Sequence, residues 1–379
     1  MNYMNSITTT YTHSFSTSFI VDNDPMFSGM AEMGLDQYER LFFVIDENVA
    51  TLYEEKILDK VSADQENTFI MRVKPEEHTK SIEFYPQLVE FLETHFAGRY
   101  DAVIAVGGGI VIDLVSFTVS TYMRGLPFYI IATTLIGQTD ASTAGKTCLN
   151  SSNAKNLLGT FYYPKAVYNN IEILRTCSKR IARQGLSEAF KYSLLTDGEA
   201  LSDIIQFSNC DFDSTIIERI VRKTIEARIQ IRKIDPLASN LGHTFGHALE
   251  KYSGYTVLHG DAILTGTVMA ITFAVEKGLM TEDEKNKIIA LMKEAHLNVY
   301  IPDDFEPHRL VEYMRKDKKS SASKLHLVMI HGIGKPYRAE TPFYEADYDE
   351  VEEFLNRYAA SYPYKKTHYS EYLMQEELD

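Results

Sequence analysis

Short, continuously apolar segments alternate with segments of helical periodicity in the first third of the chain. Apolar runs that end at a polar residue or a glycine are typical of strands buried on both faces of a parallel sheet. We predict such strands at residues 41–45, 68–73, 101–106 and 126–132. Helical spacing lies between them, at residues 48–58, 81–95 and 110–123. This order predicts a doubly wound α/β sheet with its ligand crevice at the carboxyl ends of the strands.

Helical periodicity dominates the chain after Pro164. We predict helices that include residues 180–191, 216–234, 260–278 and 344–361, with a strand at residues 325–330. Near the N-terminus, residues 9–21 alternate polar and apolar side chains and predict a strand or hairpin. Residues 141–164 form a long segment rich in Gly, Ser and Asn, and such loops inside compact domains are usually functional or disordered. We therefore predict an α/β domain at residues 1–163 and a mainly helical domain at residues 164–379.

Three consecutive glycines, Gly107 to Gly109, directly follow the third predicted strand and precede a predicted helix. This arrangement can hold a pyrophosphate on backbone N–H groups at the helix N-terminus. A tight strand-to-helix connection also needs glycines, and the triplet alone does not separate the two interpretations. Asp113 lies one turn into the helix, where a carboxylate can accept a cofactor hydroxyl or simply suit the positive helix end.

Histidines cluster late in the chain. His243 and His247 are four residues apart and project from one face of a helix, and His259 follows twelve residues after His247. A helix pair of nitrogen ligands joined by a later residue is a common way to hold a divalent metal with an open position. The alternative is a pair of polar helix residues packed under a loop, which is more frequent for an isolated HxxxH motif.

Charged residues elsewhere have simpler explanations. Glu188 and Lys191 are three apart on a predicted helix, which is typical of a surface ion pair worth a few tenths of a kcal/mol. Lys146 and Lys155 lie in the loop segment, where solvated charge is the usual state of lysine.

Composition excludes several classes of function. The net charge of -15 makes broad affinity for nucleic acid or anionic membranes unfavourable, so an anionic substrate requires a local basic pocket. Cys148, Cys177 and Cys210 are far apart and form no CxxC motif, which fits a reducing cytoplasm rather than a disulfide framework. No apolar run is long enough for a transmembrane helix, and the N-terminal residues lack the features of a signal peptide.

An ordered series of short motifs then identifies a family resemblance. The motifs are Gly107 to Asp113, Thr121 to Gly125, Thr133 to Ser142, Gly145 to Thr147, Lys155 to Tyr162, Glu188 to Tyr192, Asn240 to His247 and Leu258 to Asp261. Over about residues 42–334, the chain resembles the 3-dehydroquinate synthase family of sugar phosphate cyclases. The resemblance implies an N-terminal NAD-binding α/β domain, a helical C-terminal domain and an active site between them.

Site residues follow from the same resemblance. It implies a zinc ion, with cobalt as an alternative, held by Glu188, His243 and His259. His247, which the spacing of the histidines offers as a ligand, is implied to act on the substrate side instead. The implied NAD-binding residues are Asp46, Asn48, Glu77, Lys80, Gly107, Gly108, Gly109, Asp113, Thr133, Thr134, Asp140 and Lys155. The implied substrate-binding and catalytic residues are Arg124, Lys146, Asn156, Lys191, Arg228, Asn240, His247, Lys318 and Lys319.

The implied chemistry combines several steps in one pocket. A ring hydroxyl is oxidised by NAD, phosphate is eliminated, the ketone is reduced again, the ring opens, and an aldol addition closes a carbocycle. The cycle has no net redox change, so NAD is regenerated. The resemblance also implies a phosphorylated C7 sugar as substrate, a homodimer and a cytoplasmic location.

Two departures from the family pattern bear on the substrate. Pro236 stands where dehydroquinate synthases carry an arginine that holds the substrate carboxylate, and Arg228 replaces a lysine that assists it. Sedoheptulose 7-phosphate has no carboxylate, so we favour it slightly over 3-deoxy-arabino-heptulosonate 7-phosphate (DAHP). Alternatives are a 3-dehydroquinate synthase proper, a NAD- and metal-dependent polyol dehydrogenase, and a non-catalytic binding protein with the same fold.

Overall fold

The structure, a computed structural model, describes residues 14–61, 65–151, 155–234, 237–297, 299, 301–302, 304–315, 324–338, 341 and 343–361. Several residues singled out in the sequence lie outside these ranges: the basic residues Lys318 and Lys319, Pro236 at the position of the family arginine, and residues 9–13 of the predicted first strand. None of the described helices is long and apolar enough to cross a membrane.

A six-stranded parallel sheet organises the first half of the chain. Its strands are β1 (Ser18–Asp22), β2 (Leu41–Asp46), β3 (Thr68–Val73), β4 (Ala102–Gly107), β5 (Phe128–Ala132) and β6 (Ala166–Asn170). Their order across the sheet is β1-β6-β5-β4-β2-β3, and every neighbouring pair is parallel. The predicted doubly wound sheet is therefore confirmed, with its strand order reversing beside β4.

Helices cover the sheet between these strands. They are α1 (Glu47–Val61), α2 (Tyr85–Thr94), α3 (Gly109–Thr121) and the short α4 (Leu135–Thr139). The helix predicted from residue 81 begins at Tyr85, because an isolated bridge joins Ser81 to Asn150 and the chain turns before Pro86.

Alternating side chains of the sheet enter two separate apolar clusters. Phe43 and Ile104 belong to one cluster, whereas Phe42 and Val103 belong to the other. All residues of β2 and β4 are buried, as expected of central strands covered on both faces. The continuous apolar runs in the sequence therefore arise because both faces of these strands are buried.

The mainly helical region predicted after Pro164 begins with a strand that the sequence pattern does not predict. β6 completes the sheet between β1 and β5, and its sequence AVYNN is too short and too polar at its end to be read as a buried strand. The register with β1, from Ser18 beside Ala166 to Asp22 beside Asn170, is a tertiary contact that neither segment reveals alone. The division of the chain into two domains near residue 163 stays a prediction.

The second half of the described chain is mainly helical. Its helices are α5 (Lys179–Leu195), α6 (Leu201–Ser208), α7 (Ser214–Ile234), α8 (His243–Tyr252), α9 (His259–Glu276), α10 (Glu282–Glu294), α11 (Pro307–Arg315) and α12 (Tyr348–Ser361). Small antiparallel pairs are formed by β7 (Lys324–Leu327), β8 (Ile330–Gly332), β9 (Lys335–Pro336) and β10 (Tyr344–Asp347). The single strand predicted at residues 325–330 is therefore divided between β7 and β8, and the predicted last helix is preceded by β10.

Candidate active site

Three ligand-type side chains converge from α5, α8 and α9. His243 Nε2 lies 3.7 Å from Glu188 Oε1, and His259 Nε2 lies 3.5 Å from the same oxygen. One ligand atom from each of Glu188, His243 and His259 lies within 4.8 Å of the other two. Glu188 Oε1 is buried and accepts no hydrogen bond from the described residues.

Both histidines stand at helix N-termini. Gly242 precedes α8 with a φ of 75°, a left-handed conformation that favours glycine, and His243 is the first residue of the helix. His259 is likewise the first residue of α9. His243 Nδ1 lies 3.1 Å from the Leu241 carbonyl oxygen, so Nδ1 carries the proton and Nε2 presents its lone pair towards Glu188.

Glu188 and Lys191 are buried, contrary to the surface ion pair that their spacing predicts. The side chains are 0% and 1% exposed, and Lys191 Nζ donates to Glu188 Oε2 at 2.5 Å. Burial alone raises the pKa of Glu188, but Lys191 and His259 outweigh it and lower the pKa to about 2. Burial lowers the pKa of Lys191. The site therefore holds a permanent carboxylate with one oxygen on the ammonium and the other facing two imidazoles.

Helix α5 fixes this group beside the end of the parallel sheet. A Cβ placed on Gly185 would lie 2.5 Å from Leu135 Cγ and 2.6 Å from Ile136 N, so α5 and α4 pack at backbone distance. Gln184 Oε1 also accepts the backbone N–H of Gly260 at 2.7 Å, which fixes the start of α9 against α5. Since α4 begins three residues after β5 ends, the group of Glu188, His243 and His259 lies next to the carboxyl end of β5.

The glycine loop is packed more tightly than a cofactor role alone requires. A Cβ on Gly107 would lie 2.8 Å from Val111 and 3.3 Å from Asp46 Cβ, and one on Gly108 would lie 3.0 Å from Thr134. The close packing agrees with a role of the three glycines in a tight strand-to-helix connection. It also brings the ends of β2, β4 and β5 together at one edge of the sheet. No side chain caps the N-terminus of α3 at Gly108, so the first amides of this helix can receive an anion.

Two ion pairs lie among the predicted NAD-binding residues. Lys80 pairs with Asp113. Burial lowers the pKa of Lys80, but the attraction of Asp113 outweighs burial, so the pKa is raised overall. Lys155 Nζ lies 3.3 Å from Glu77 Oε2 and 4.0 Å from the centre of the Tyr255 ring. Tyr255 lies in the connection between α8 and α9, so Lys155 joins the loop segment to the helices that carry the histidines.

Remaining predicted NAD-binding residues follow the strand ends. Asp46 ends β2, its Oδ1 accepts the backbone N–H of Asn48 at 2.9 Å, and burial raises the pKa of its carboxyl. Thr133 is buried directly after β5, and Thr134 caps α4 by accepting the backbone N–H of Gly137. All of these residues lie at one edge of the sheet.

Asp140, at the end of α4, and Arg228 of α7 form a partly buried ion pair. Tyr192 also reaches Asp140, with its hydroxyl 3.4 Å from Oδ1, and the Arg228 guanidinium lies 5.2 Å from the centre of the Tyr192 ring. Burial lowers the pKa of Arg228 to about 9, which still leaves the side chain protonated at neutral pH. The guanidinium that the resemblance offers to a substrate carboxylate is therefore bound to a carboxylate of the chain itself.

Other predicted substrate residues are spread more widely. Asn156 has a φ of 55°, its backbone N–H donates to Asn150 Oδ1, and Cys148 Sγ donates to its Oδ1. Asn240 is buried just before α8, whereas Lys146 is exposed and its backbone bridges to Phe161.

Arg124 is the described site residue that the fold does not bring to this cluster. It lies on an exposed turn after the C-terminus of α3, with a φ of 67°. The 13 residues of α3 separate this turn from the glycine loop by about 20 Å.

Sequence reasoning missed Glu250. Its Oε2 lies 3.5 Å from His259 Nδ1, on the side of the ring away from Glu188. Its position seven residues after His243 and three after His247 places it on the histidine face of α8, and this spacing was the available signal. His247, Glu250 and His259 also have ligand atoms within 4.8 Å of one another.

The residues present fit a divalent metal. Two imidazole nitrogens and a buried carboxylate oxygen are the ligands that zinc takes in catalytic sites with an open position. A cation between them would also satisfy Glu188 Oε1, which has no hydrogen-bond partner among the described residues.

Comparison with known proteins gives one consistent result. A family profile described as 3-dehydroquinate synthase N-terminal matches residues 70–184, and one described as 3-dehydroquinate synthase C-terminal matches residues 185–320. The chain is 31% identical over 306 residues to the 3-dehydroquinate synthase of Desulforamulus reducens, covering 78% of this chain and 85% of that protein.

Solved structures with the same fold include two cyclases of other names. A 2-deoxy-scyllo-inosose synthase complexed with carbaglucose-6-phosphate, NAD+ and Co2+ superposes with a TM-score of 0.78 at 22% identity, covering 89% of this chain and 96% of that one. The 2-epi-5-epi-valiolone synthase ValA from Streptomyces hygroscopicus subsp. jinggangensis, with NAD+ and Zn2+ bound, gives 0.79 at 22% identity, covering 93% and 99%. At this identity the likeness shows the fold alone.

Proposed function

The chain belongs to the 3-dehydroquinate synthase family, and we propose that it is a NAD- and metal-dependent cyclase acting on a phosphorylated C7 sugar. The observation that carries this proposal is the group of Glu188, His243 and His259 beside the carboxyl end of β5. It combines an open metal site with the edge of a sheet at which nucleotides bind.

Each cofactor has its own set of residues in this proposal. The metal is held by Glu188, His243 and His259, as zinc or cobalt. NAD lies along the glycine loop, with its pyrophosphate on the N-terminus of α3 and the predicted residues from Asp46 to Lys155 around it. When bound, NAD would supply reversible hydride transfer, and the metal would polarise the oxygen of the hydroxyl group that is oxidised.

The chain's own side chains orient the substrate and balance its charge. Lys191 donates to Glu188 and has further N–H groups for substrate hydroxyls or phosphate. His247 lies beside both of the proposed metal-binding histidines, with its ring centre 5.2 Å from that of His243 and 6.0 Å from that of His259. We assign it proton transfer on the substrate side. Lys146, Asn156, Asn240 and one of Lys318 and Lys319 complete the proposed phosphate pocket, which overcomes the net charge of -15 locally.

The Asp140–Arg228 pair supports a substrate without a carboxylate. A carboxylate substrate would have to displace Asp140 from the buried Arg228 guanidinium, leaving the partly exposed Asp140 carboxyl without its partner. We therefore favour sedoheptulose 7-phosphate. The second candidate is DAHP, because five relatives at 31–33% identity are named 3-dehydroquinate synthase.

Phosphate release with each sugar tests the substrate. Purified protein supplied with NAD and Zn2+ or Co2+ is incubated with sedoheptulose 7-phosphate or with DAHP, and the carbocyclic product is identified by NMR. We expect phosphate release and a cyclic product from sedoheptulose 7-phosphate. Turnover of DAHP alone contradicts the substrate assignment, and steady accumulation of NADH with a simple polyol contradicts the cyclase assignment and favours a dehydrogenase.

We extend the proposal to a homodimer in the cytoplasm, as the family resemblance implies. Its test is the mass of the purified protein in solution, which a dimer doubles relative to the 43.2 kDa chain.

A further inference from the structure

The imidazole of His259 lies between two carboxylates. Its Nε2 is 3.5 Å from Glu188 Oε1, and its Nδ1 is 3.5 Å from Glu250 Oε2. The Glu188 side chain is fully buried and that of Glu250 is 13% exposed, so neither carboxylate is freely hydrated. The two ring nitrogens therefore have different neighbours and different tasks.

A histidine can bind a metal only through a nitrogen that carries no proton. In the neutral ring one nitrogen is protonated, and a carboxylate beside it fixes which one. Glu250 Oε2, 3.5 Å from Nδ1, is placed to accept a hydrogen bond from an Nδ1–H group, which leaves the Nε2 lone pair on the side of Glu188 and His243. His243 reaches the same state by another route, since its Nδ1 faces the Leu241 carbonyl oxygen.

Glu250 is itself held in place by the backbone around it. Its carbonyl oxygen accepts the Tyr255 N–H at 2.7 Å, which closes the turn between α8 and α9. Gly254 and Tyr255 have φ values of 60° and 65° in this turn. The carboxylate is thus carried on the last turns of α8, five residues before Tyr255 and nine before His259.

A competing role for Glu250 is that of a direct ligand. His247, Glu250 and His259 form a second group of possible ligands within 4.8 Å. This group needs the lone pair of His259 on Nδ1, whereas the Glu188 group needs it on Nε2. A neutral ring supplies one of the two, and the buried Glu188 oxygen without a hydrogen bond favours Nε2.

We propose that Glu250 is a positioning residue for the metal site, which holds the His259 ring with Nδ1 protonated and Nε2 directed at the ion. This inference rests on the proposed metal site at Glu188, His243 and His259. Carboxylates that orient metal-binding histidines in this way typically change metal affinity by about 10–100-fold when they are removed.

The test compares Glu250→Gln and Glu250→Ala with the unchanged protein, each prepared with its metal bound. The readouts are the number of ions per chain, the rate of metal transfer to a chelator, and the visible absorption of the Co2+-loaded protein. We expect one ion per chain throughout. Affinity should fall about 10–100-fold in Glu250→Ala and less in Glu250→Gln, because the amide oxygen still accepts the Nδ1 proton.

A matched control separates this role from general stability. Glu54 is also a poorly exposed carboxylate in an ion pair, with Arg72, and lies far from the site on α1. Glu54→Gln should leave metal transfer and the Co2+ spectrum unchanged. Thermal unfolding after chelation measures the change in stability separately from the change in metal transfer.

Three results would overturn the inference in distinguishable ways. Equal metal affinity in all Glu250 variants removes the positioning role while leaving the metal site intact. Two ions per unchanged chain, falling to one in Glu250→Ala, makes Glu250 a ligand. An unchanged protein that binds neither Zn2+ nor Co2+ removes the proposed function together with the inference.

Discussion

At the scale of single residues, the main feature is a buried charge balance around Glu188. Its two oxygens face different cations, the Lys191 ammonium on one side and a metal position between two imidazoles on the other. Removing one member of a buried pair leaves an uncompensated charge, which costs far more than the net contribution of the intact pair. Lys191 therefore keeps the carboxylate ionised and stable in the absence of the metal.

Lys191→Met tests this balance. In the metal-free protein the free energy of unfolding should fall by about 3 kcal/mol, because Glu188 loses its buried partner. With metal bound the loss should be smaller, since the ion compensates the same carboxylate, and turnover of the metal-loaded protein should fall. Chemical denaturation with and without chelator measures the difference.

Two further variants make the interpretation specific. Lys223→Met removes an ammonium that pairs with Asp203 but is 31% exposed, and its cost should be small and independent of metal. Glu188→Gln combined with Lys191→Met should restore much of the metal-free stability while abolishing metal binding. An equal loss for Lys191→Met with and without metal would contradict the shared role of the carboxylate.

At the scale of elements, the site depends on how closely α8 packs on α9. A Cβ on Gly266 of α9 would overlap the carbonyl oxygen of Gly242 and lie 2.7 Å from the backbone nitrogen of Gly246. The histidine motif therefore contains its glycines because a second helix crosses it. This contact sets the distance between the N-termini that carry His243 and His259.

Gly266→Ala should separate the two helices and disturb the site without touching a ligand. Overpacking of this kind costs about 1–3 kcal/mol, and the metal affinity should fall as well because the histidine nitrogens move apart. Thermal unfolding and metal titration provide the measurements. Gly98→Ala is the control, because its Cβ would meet no atom closer than 3.6 Å. Unchanged metal affinity in a destabilised Gly266→Ala protein would show that α9 adapts without moving His259.

At the scale of the whole molecule, the site links stability to pH. Burial is outweighed by neighbouring cations at Glu188 and Glu250, and the pKa of each carboxyl is lowered from near 4.5 to about 2. Both therefore stabilise the folded state above pH 4.5, and this contribution is lost as the pH falls towards 2. His259 acts in the opposite direction. Its pKa is raised from 6.5 to about 9, chiefly by Glu250 against the effect of burial, so its contribution is lost as the pH rises through 9.

The metal-free protein should accordingly be most stable between about pH 4.5 and 6.5. Its unfolding temperature should fall on the acid side towards pH 3 and on the alkaline side towards pH 10. Glu250→Gln removes one depressed carboxyl and the main cause of the raised His259 pKa, so both slopes should become flatter. Thermal scans of chelator-treated protein check this, and a Glu250→Gln profile as steep as that of the unchanged protein would be inconsistent with these pKa shifts.

Local pattern determined much of the architecture. The apolar runs of β2, β4 and β5 identified three central strands, because strands covered on both faces need side chains that are apolar throughout. The run of β3 identified the edge strand beside β2. The periodicity of α7, α8 and α9 identified helices, because residues that share one face of a helix recur every three to four positions. The ordered motifs identified the family, because their order and spacing match the family pattern as a set, which is more specific than any single motif.

Tertiary structure decided the features that depend on meetings between distant segments. β6 entered the sheet through its register with β1, and the Glu188–Lys191 pair proved to be buried because α5 packs against α4 and α9. Asp140 met Arg228 and Glu250 met His259 across long stretches of chain. Periodicity reports which side of an element faces the interior, but burial and partner are properties of the surrounding elements, and these are fixed only when the helices and the sheet pack together.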